Sequence, residues 1–346
     1  MNEPSRSATE AGEIESAVEV DSFRPSLDDF GRRARTFEGL GFQTAWLWAG
    51  VADEEGRRYA LVREHGPGET ILFYGLEVSK DVWTSPAVRY APIPGSDGLY
   101  WGGLNYECEG NTQLIIPRNP LYPRLSVSLS PQEICWRESD WSDLSLAPLP
   151  SALRYLCPGK PDSFGYTSQI CRIRGTVQGR AVQGFGGYDR YYGEPGIMWV
   201  QSKGFRHLEQ LWWVWAGRAE DSRTEHGVAI TGPGDFRVGY FHREGEKPVT
   251  CNHLEHEVEW SERDGRVLPL AVTLEFGGRR FRYRATGNVT IPGADLFIDW
   301  LHGEMVEEGV ARPTRCFSWL EYFKHLAKPG EDRPTTRRPG QRGNNV

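Results

Sequence analysis

Asp189 and Arg190 end a glycine-rich run, Gly184-Phe-Gly-Gly-Tyr-Asp-Arg-Tyr-Tyr-Gly193. A carboxyl that follows such an apolar approach has its pKa raised on burial. It can then donate a proton to an alkene or a carbonyl near neutral pH. The Arg190 guanidinium stays protonated, so its chemistry is to orient Asp189 or to hold a substrate oxygen. The same pair would equally serve as a charge-assisted brace at a domain junction. His207 and Glu209 share a strand face with Leu211 and Trp213, which makes them an acid/base pair if that face lines a cavity, and a polar strand entrance otherwise. In Cys251-Asn-His-Leu-Glu-His-Glu257, His256 falls on the apolar face with Leu254, Val258 and Trp260, as a polar handle inside a barrel. Cys251, His253, Glu255 and Glu257 point the other way, which reads as a surface ladder, and no metal site is assigned. There is no phosphate-binding loop, dinucleotide fingerprint or nucleophile elbow, and no cofactor is expected.

The elements that must position these groups are announced by a repeat. Trp46 to Asp53 reads WLWAGVAD, and Trp213 to Glu220, 167 positions later, reads WVWAGRAE. That period is too long for a solenoid or a propeller blade and fits two copies of one domain. Alternation puts Trp46 and Trp48 on one face of a strand, and Trp213 and Trp215 on one face of its twin. Those faces either fill two cores or line a ligand cavity.

At 346 residues the chain is long enough for two cores. Its 40 Gly and 23 Pro cut it into strand-sized runs such as TILFYGLEV, RLSVSLS, EHGVAITG and RRFRYRATG, a pattern of barrels or sandwiches. Asp53-Glu54-Glu55-Gly56 reads as a hairpin turn. Helical candidates are Ser26 to Thr36 and Ala294 to Met305. Residues 1–22 read as a disordered acidic segment, 23–195 and 196–327 as two barrels, and 328–346 as a flexible basic tail. The 13 Trp, 14 Tyr and 15 Phe describe cores or cavities built from flat, rigid side chains. A net charge of −7 gives no basic field for nucleic acid. No run reaches the length of a membrane span and no secretory signal opens the chain, so a cytoplasmic monomer is expected. No Cys-x-x-Cys pair occurs among the six cysteines, which read as scattered thiols.

Three motifs together resemble the carotenoid 1,2-hydratase-like, tandem lipocalin-like proteins. Trp46-Leu47-Trp48 is followed by the acidic turn and Arg57-Arg58-Tyr59. Gly184 to Gly193 looks like the inter-domain motif, and Trp213-Val214-Trp215 stands where the second barrel opens. The resemblance covers residues 40 to 325 and implies an all-β fold of two antiparallel lipocalin-like barrels with short helical additions. In the hydratases a His follows the motif Asp and a Trp stands two places further; here those positions are Arg190 and Tyr192. The implied function is binding of a small apolar molecule, with acid-assisted hydration or cyclisation as the chemistry and a non-catalytic carrier as the alternative. Asp189 matches the motif Asp, and with Arg190 and His207 from the reading of the residues it makes up the candidate catalytic set. The ligand-facing set is Trp46, Trp48, Tyr192, Trp213, Trp215 and His256.

Overall fold

A computed structural model describes residues 18–324 apart from 26–35, 67–68, 89–98, 131, 140, 159–162, 195–198, 200–201, 203–209, 220, 233–235 and 291–297. The first sheet holds β1 (Glu19–Phe23), β2 (Thr36–Phe37), β3 (Leu40–Asp53), β4 (Arg58–His65), β5 (Glu69–Glu77), β6 (Ala87–Val88), β7 (Leu99–Glu109), β8 (Thr112–Pro117), β9 (Leu125–Leu129), β10 (Ile134–Glu138), β11 (Ser142–Pro148), β12 (Ala152–Cys157), β13 (Phe164–Val177) and β14 (Arg180–Gly193). The second holds β15 (Leu211–Arg218), β16 (Thr224–Thr231), β17 (Arg237–Arg243), β18 (Val249–Cys251), β19 (Glu255–Arg263), β20 (Arg266–Phe276), β21 (Arg279–Asn288), β22 (Ile298–Glu307) and β23 (Thr314–Phe323).

All strand pairings are antiparallel. In the first sheet the order runs from β3 through β4, β5, β7, β8, β9, β10, β11 and β13 to β14, and β14 pairs back onto β3, which closes the ring. β11 and β12 both pair with β13 along the same edge, so the chain bends between them at Leu149 to Ser151. The second sheet runs β18-β17-β16-β15-β23-β22-β21-β20-β19 and curls, with no pairing between its ends among the described residues. The protein is all-β, with two tandem lipocalin-like antiparallel barrels. The acidic turn forms as read: Asp53 caps it by accepting the backbone N–H groups of Glu55 and Arg57, and Gly56 supplies a φ of 78°.

Three cores result. Inside barrel one, Leu47, Leu61, Val127 and Leu144 pack around the buried ion pair of Arg63 and Glu138. This pair is bidentate at 2.6 and 2.7 Å, and its guanidinium lies over Trp136 and Trp141. Inside barrel two, Trp213, Trp215, Phe241, Phe281 and Tyr283 fill the space. The third core lies between the barrels, where Trp48, Val62 and Phe185 meet Trp212, Val214, Phe317 and Trp319. Strand alternation makes this seam possible, because the face of β3 and β14 that is turned away from barrel one is also apolar.

Three expectations are corrected. Ile298 to Met305 is strand, not helix: Ile298 and Trp300 face the seam while Leu301 and Met305 face the barrel. With both faces buried the period-2 signal is lost, and the mixture imitates a helix. Residues 26–35 of the other helical candidate lie outside the described residues. Residues 19–22, assigned to the acidic tail, belong to β1, which adds an edge to β12 through the register Glu19 to Leu156. The third correction concerns the repeat. Trp46 and Trp48 project from barrel one into the seam, whereas Trp213 and Trp215 project into the interior of barrel two. In β15 the seam is faced by the intervening Trp212, Val214 and Ala216.

Candidate functional site

Four adjacent strands bring a polar row to the seam. Ser168 of β13 stands opposite Asp189 of β14, Asp189 opposite Trp46 of β3, and Trp46 opposite Glu64 of β4. Asp189 is 2% exposed and Glu64 7%. Asp189 Oδ2 accepts hydrogen bonds from the Trp48 indole and the Tyr166 hydroxyl, each at 2.8 Å. Asp189 Oδ1 has no hydrogen-bond partner among the described residues. Glu64 Oε1 accepts from the Trp199 indole at 2.5 Å.

Loss of water around each carboxyl is the dominant electrostatic effect. It pushes Asp189 up to about 7, against the opposing pull of Ser168, Tyr166 and Trp48. Glu64 is likewise pushed up to about 7, against Trp199, Trp46 and Thr44. Near neutral pH both groups therefore exchange between acid and carboxylate, the condition for a proton donor. Aromatic faces surround them. Trp46 meets Trp199 edge-on at 5.1 Å, and Trp48 stacks on Phe317 at 5.7 Å with Trp212 and Trp319 beside it. Gly187 makes room for this arrangement, since a Cβ there would stand 2.5 Å from the Trp48 ring.

A second polar cluster crosses the same seam. Ser151, at the β11–β12 bend, lies 2.7 Å from His242 Nδ1 and 2.7 Å from the Tyr240 hydroxyl. His242 Nε2 faces the Glu246 carbonyl at 3.1 Å and His226 Nε2 faces the Ser151 carbonyl at 3.2 Å, so both Nε2 atoms carry the proton. The directions then follow. Tyr240 accepts from His226 at 2.9 Å and donates to Ser151, and Ser151 donates to His242. Both rings are neutral, and burial holds each imidazole below its ordinary range.

The residues read from the sequence are dispersed by this geometry. Asp189, Trp46 and Trp48 come together at the seam. Arg190, one residue on, projects to the opposite face, where its guanidinium lies 4.5 Å from the centre of the Phe42 ring and 5.5 Å from that of Tyr192. It therefore cannot orient Asp189, and Tyr192 leaves the seam with it. Trp213 and Trp215 are core side chains of barrel two. His256 is half-buried on the Leu254 and Val258 side of β19, with no partner for Nε2 among the described residues and its pKa lowered to about 4 by burial. His207 lies outside the described residues. Sequence reasoning missed Glu64, Tyr166, Trp199, Trp212, Phe317 and Trp319. The signal for Glu64 was present in Arg58 to His65, where Ala60 and Val62 prepare a buried face and Glu64 continues it in phase.

Fold and seam together define a tandem two-barrel protein whose interface is aromatic and carries buried acids. No protein-family profile matches the chain, and no curated protein matches it significantly. Among solved structures it is similar to an AttH candidate from Nitrosomonas europaea, with TM-score 0.43 and 13% identity over 86% of this chain and 96% of that one. It is also similar to kievitone hydratase from Nectria haematococca, with TM-score 0.41 and 11% identity over 83% of this chain and 90% of that one. At these levels neither likeness carries an activity over to this chain.

Proposed function

We propose that the seam binds a small apolar, unsaturated molecule and that Asp189 delivers a proton to it in a hydration or cyclisation. The observation that supports this reading most is the division of labour on Asp189. One oxygen is fixed by an indole and a phenol, the other has no partner among the described residues, and the pKa is pushed up to about 7. Trp46, Trp48 and Trp199 would stabilise positive charge developing on the substrate by cation–π attraction. Protonation of a carbon–carbon double bond transfers the Asp189 proton to one carbon and leaves a cation on the other. Water or an internal double bond then attacks the cation, and Glu64 or Asp189 as carboxylate accepts the released proton. The alternative is a non-catalytic carrier that holds the molecule at the same seam, since both barrel interiors are filled by side chains.

The test begins with native mass spectrometry of the purified protein, followed by organic extraction to identify any co-purifying molecule. With that molecule or its precursor as substrate, Asp189→Asn lowers turnover about 10²-fold or more while binding is retained. Full turnover by Asp189→Asn would assign the carboxyl a structural role and leave the carrier reading.

A further inference from the structure

One edge of the seam opens into a cleft of about 590 Å³ walled by both barrels. Barrel one contributes Arg58, Arg172 and Arg174 to its wall, and barrel two contributes Arg218, Arg315 and His302. The concentration of five arginines runs against the charge of the molecule, which is −7 overall. The one carboxyl in the wall, Asp53, is turned into its own hairpin. It accepts two backbone N–H groups and the Tyr59 hydroxyl, with Arg57 and Arg180 beyond at 3.9 and 3.7 Å.

None of the five wall arginines takes part in a salt bridge among the described residues. Four of them rest on neutral partners. Arg172 donates to Thr224 Oγ1 at 2.6 Å, Arg315 to Gln183 Oε1 at 2.9 Å and Arg218 to the Ser222 carbonyl at 3.2 Å, and Arg58 lies 3.4 Å from His302 Nδ1. The Arg172 and Arg315 contacts each reach across to the other barrel. Arg315 is also held at a φ of 50°, left-handed backbone that a side-chain-bearing residue adopts at a cost, where β23 slips register against β15. A guanidinium fork resting on neutral groups keeps donors for an oxyanion, and carboxylate and phosphate both fit it.

The cleft continues into the seam. Phe317 and Phe185 are part of its wall, and Phe317 is the ring stacked on Trp48, whose indole holds Asp189. Phe185, Gly187 and Asp189 share one face of β14, so Asp189 stands about 13 Å from Phe185 along the strand, four residues at roughly 3.3 Å each.

We propose that this cleft is the head-group site for an amphiphile with a carboxylate or phosphate head, whose apolar tail runs over Phe317 and Phe185 toward Trp48 and Asp189. The placement of the tail rests on the proposed seam function; the head-group site does not. The test is calorimetric titration of the full chain with dodecanoate, dodecyl phosphate and dodecanol. The anionic probes bind at least about tenfold tighter than dodecanol, the worth of one charge-assisted contact. The tighter of the two identifies the head. Arg172→Gln and Arg315→Gln each weaken the anionic probe about tenfold and leave dodecanol unchanged, and raised salt acts in the same direction. Equal binding of dodecanol and the anions overturns the head-group site while leaving an apolar seam. So does unchanged affinity in both arginine variants. If none of the three probes binds while a neutral polyene still quenches tryptophan fluorescence, the head-group site falls and the seam reading stands.

Discussion

Asp189 carries two separable consequences, one for chemistry and one for stability. Its pKa is raised from an ordinary 3.8 to about 7 in the folded protein. A carboxyl of this kind favours the folded state fully below the unfolded value, and that contribution is lost as pH rises through the folded one. A rise of this size is worth on the order of 4 kcal/mol once the group is ionised. Asp189→Asn keeps an acceptor for Trp48 and Tyr166 and removes the charge. Its melting temperature should therefore gain on wild type as pH goes from 5 to 8.5, and a constant difference across that range would refute the assignment. Arg63 and Glu138 test the opposite case, a buried pair complete in itself. Glu138→Gln leaves a buried guanidinium uncompensated and should cost about 3–5 kcal/mol in urea denaturation. Replacing both partners with Met and Leu should recover most of that loss. A single variant as stable as wild type would show that the pair is not sequestered.

At the scale of elements, the long central strands β3, β13 and β14 do most of the positioning, because each is apolar on both faces. Glycines set how closely barrel two can approach them. A Cβ on Gly50 would lie 1.8 Å from the Phe317 ring, whereas one on Gly41 would meet nothing closer than 3.8 Å. Gly50→Ala should therefore cost about 1–3 kcal/mol through overpacking, and Gly41→Ala little. Thermal melts of the two variants check this, and equal melting temperatures would mean that the seam is looser than described. Strand existence and the Asp53 to Gly56 hairpin were legible in the sequence, because alternation and turn chemistry are local. The seam was not legible. A strand buried on both faces loses its alternation, as Ile298 to Met305 shows, and nothing in Arg58 to His65 says that its outer face meets a second barrel. Asp189 could be found because glycines and aromatics crowd around it within a few positions. Glu64 reaches the site only through pairing of β4 with β3, and Trp199 only through the seam.

For the whole molecule, buried acids and buried imidazoles set opposite limits of pH. Burial lowers His65, His226 and His302 from 6.5 to about 3. Their contribution is present above 6.5 and is lost as pH falls toward 3, while that of Asp189 and Glu64 is lost as pH rises through about 7. Stability should therefore peak near pH 6.5 and decline on both sides. The double variant Glu64→Gln with Asp189→Asn should flatten the decline above pH 6.5 and steepen the rise below it, because the carboxyl contribution is lost all the way from about 4 to about 7. A pH series of melting temperatures, followed by tryptophan fluorescence, decides it; a decline on the alkaline side as steep in the double variant as in wild type would remove the carboxyls from the account.

The two copies of the Trp-x-Trp-Ala-Gly motif stand in opposite pleat phase, and this bears on the ancestry and autonomy of the halves. A junction between true equivalents can be isologous, each member offering the other the same patch. Here one half offers indoles and acids, and the other offers Trp212, Val214, Phe317 and Trp319. The contact is heterologous within a single polypeptide. A half expressed alone would find no substitute in a second copy of itself, and a motif strand exchanged between halves would turn inside out. Whatever produced the repeat, the two halves now meet through different, complementary faces.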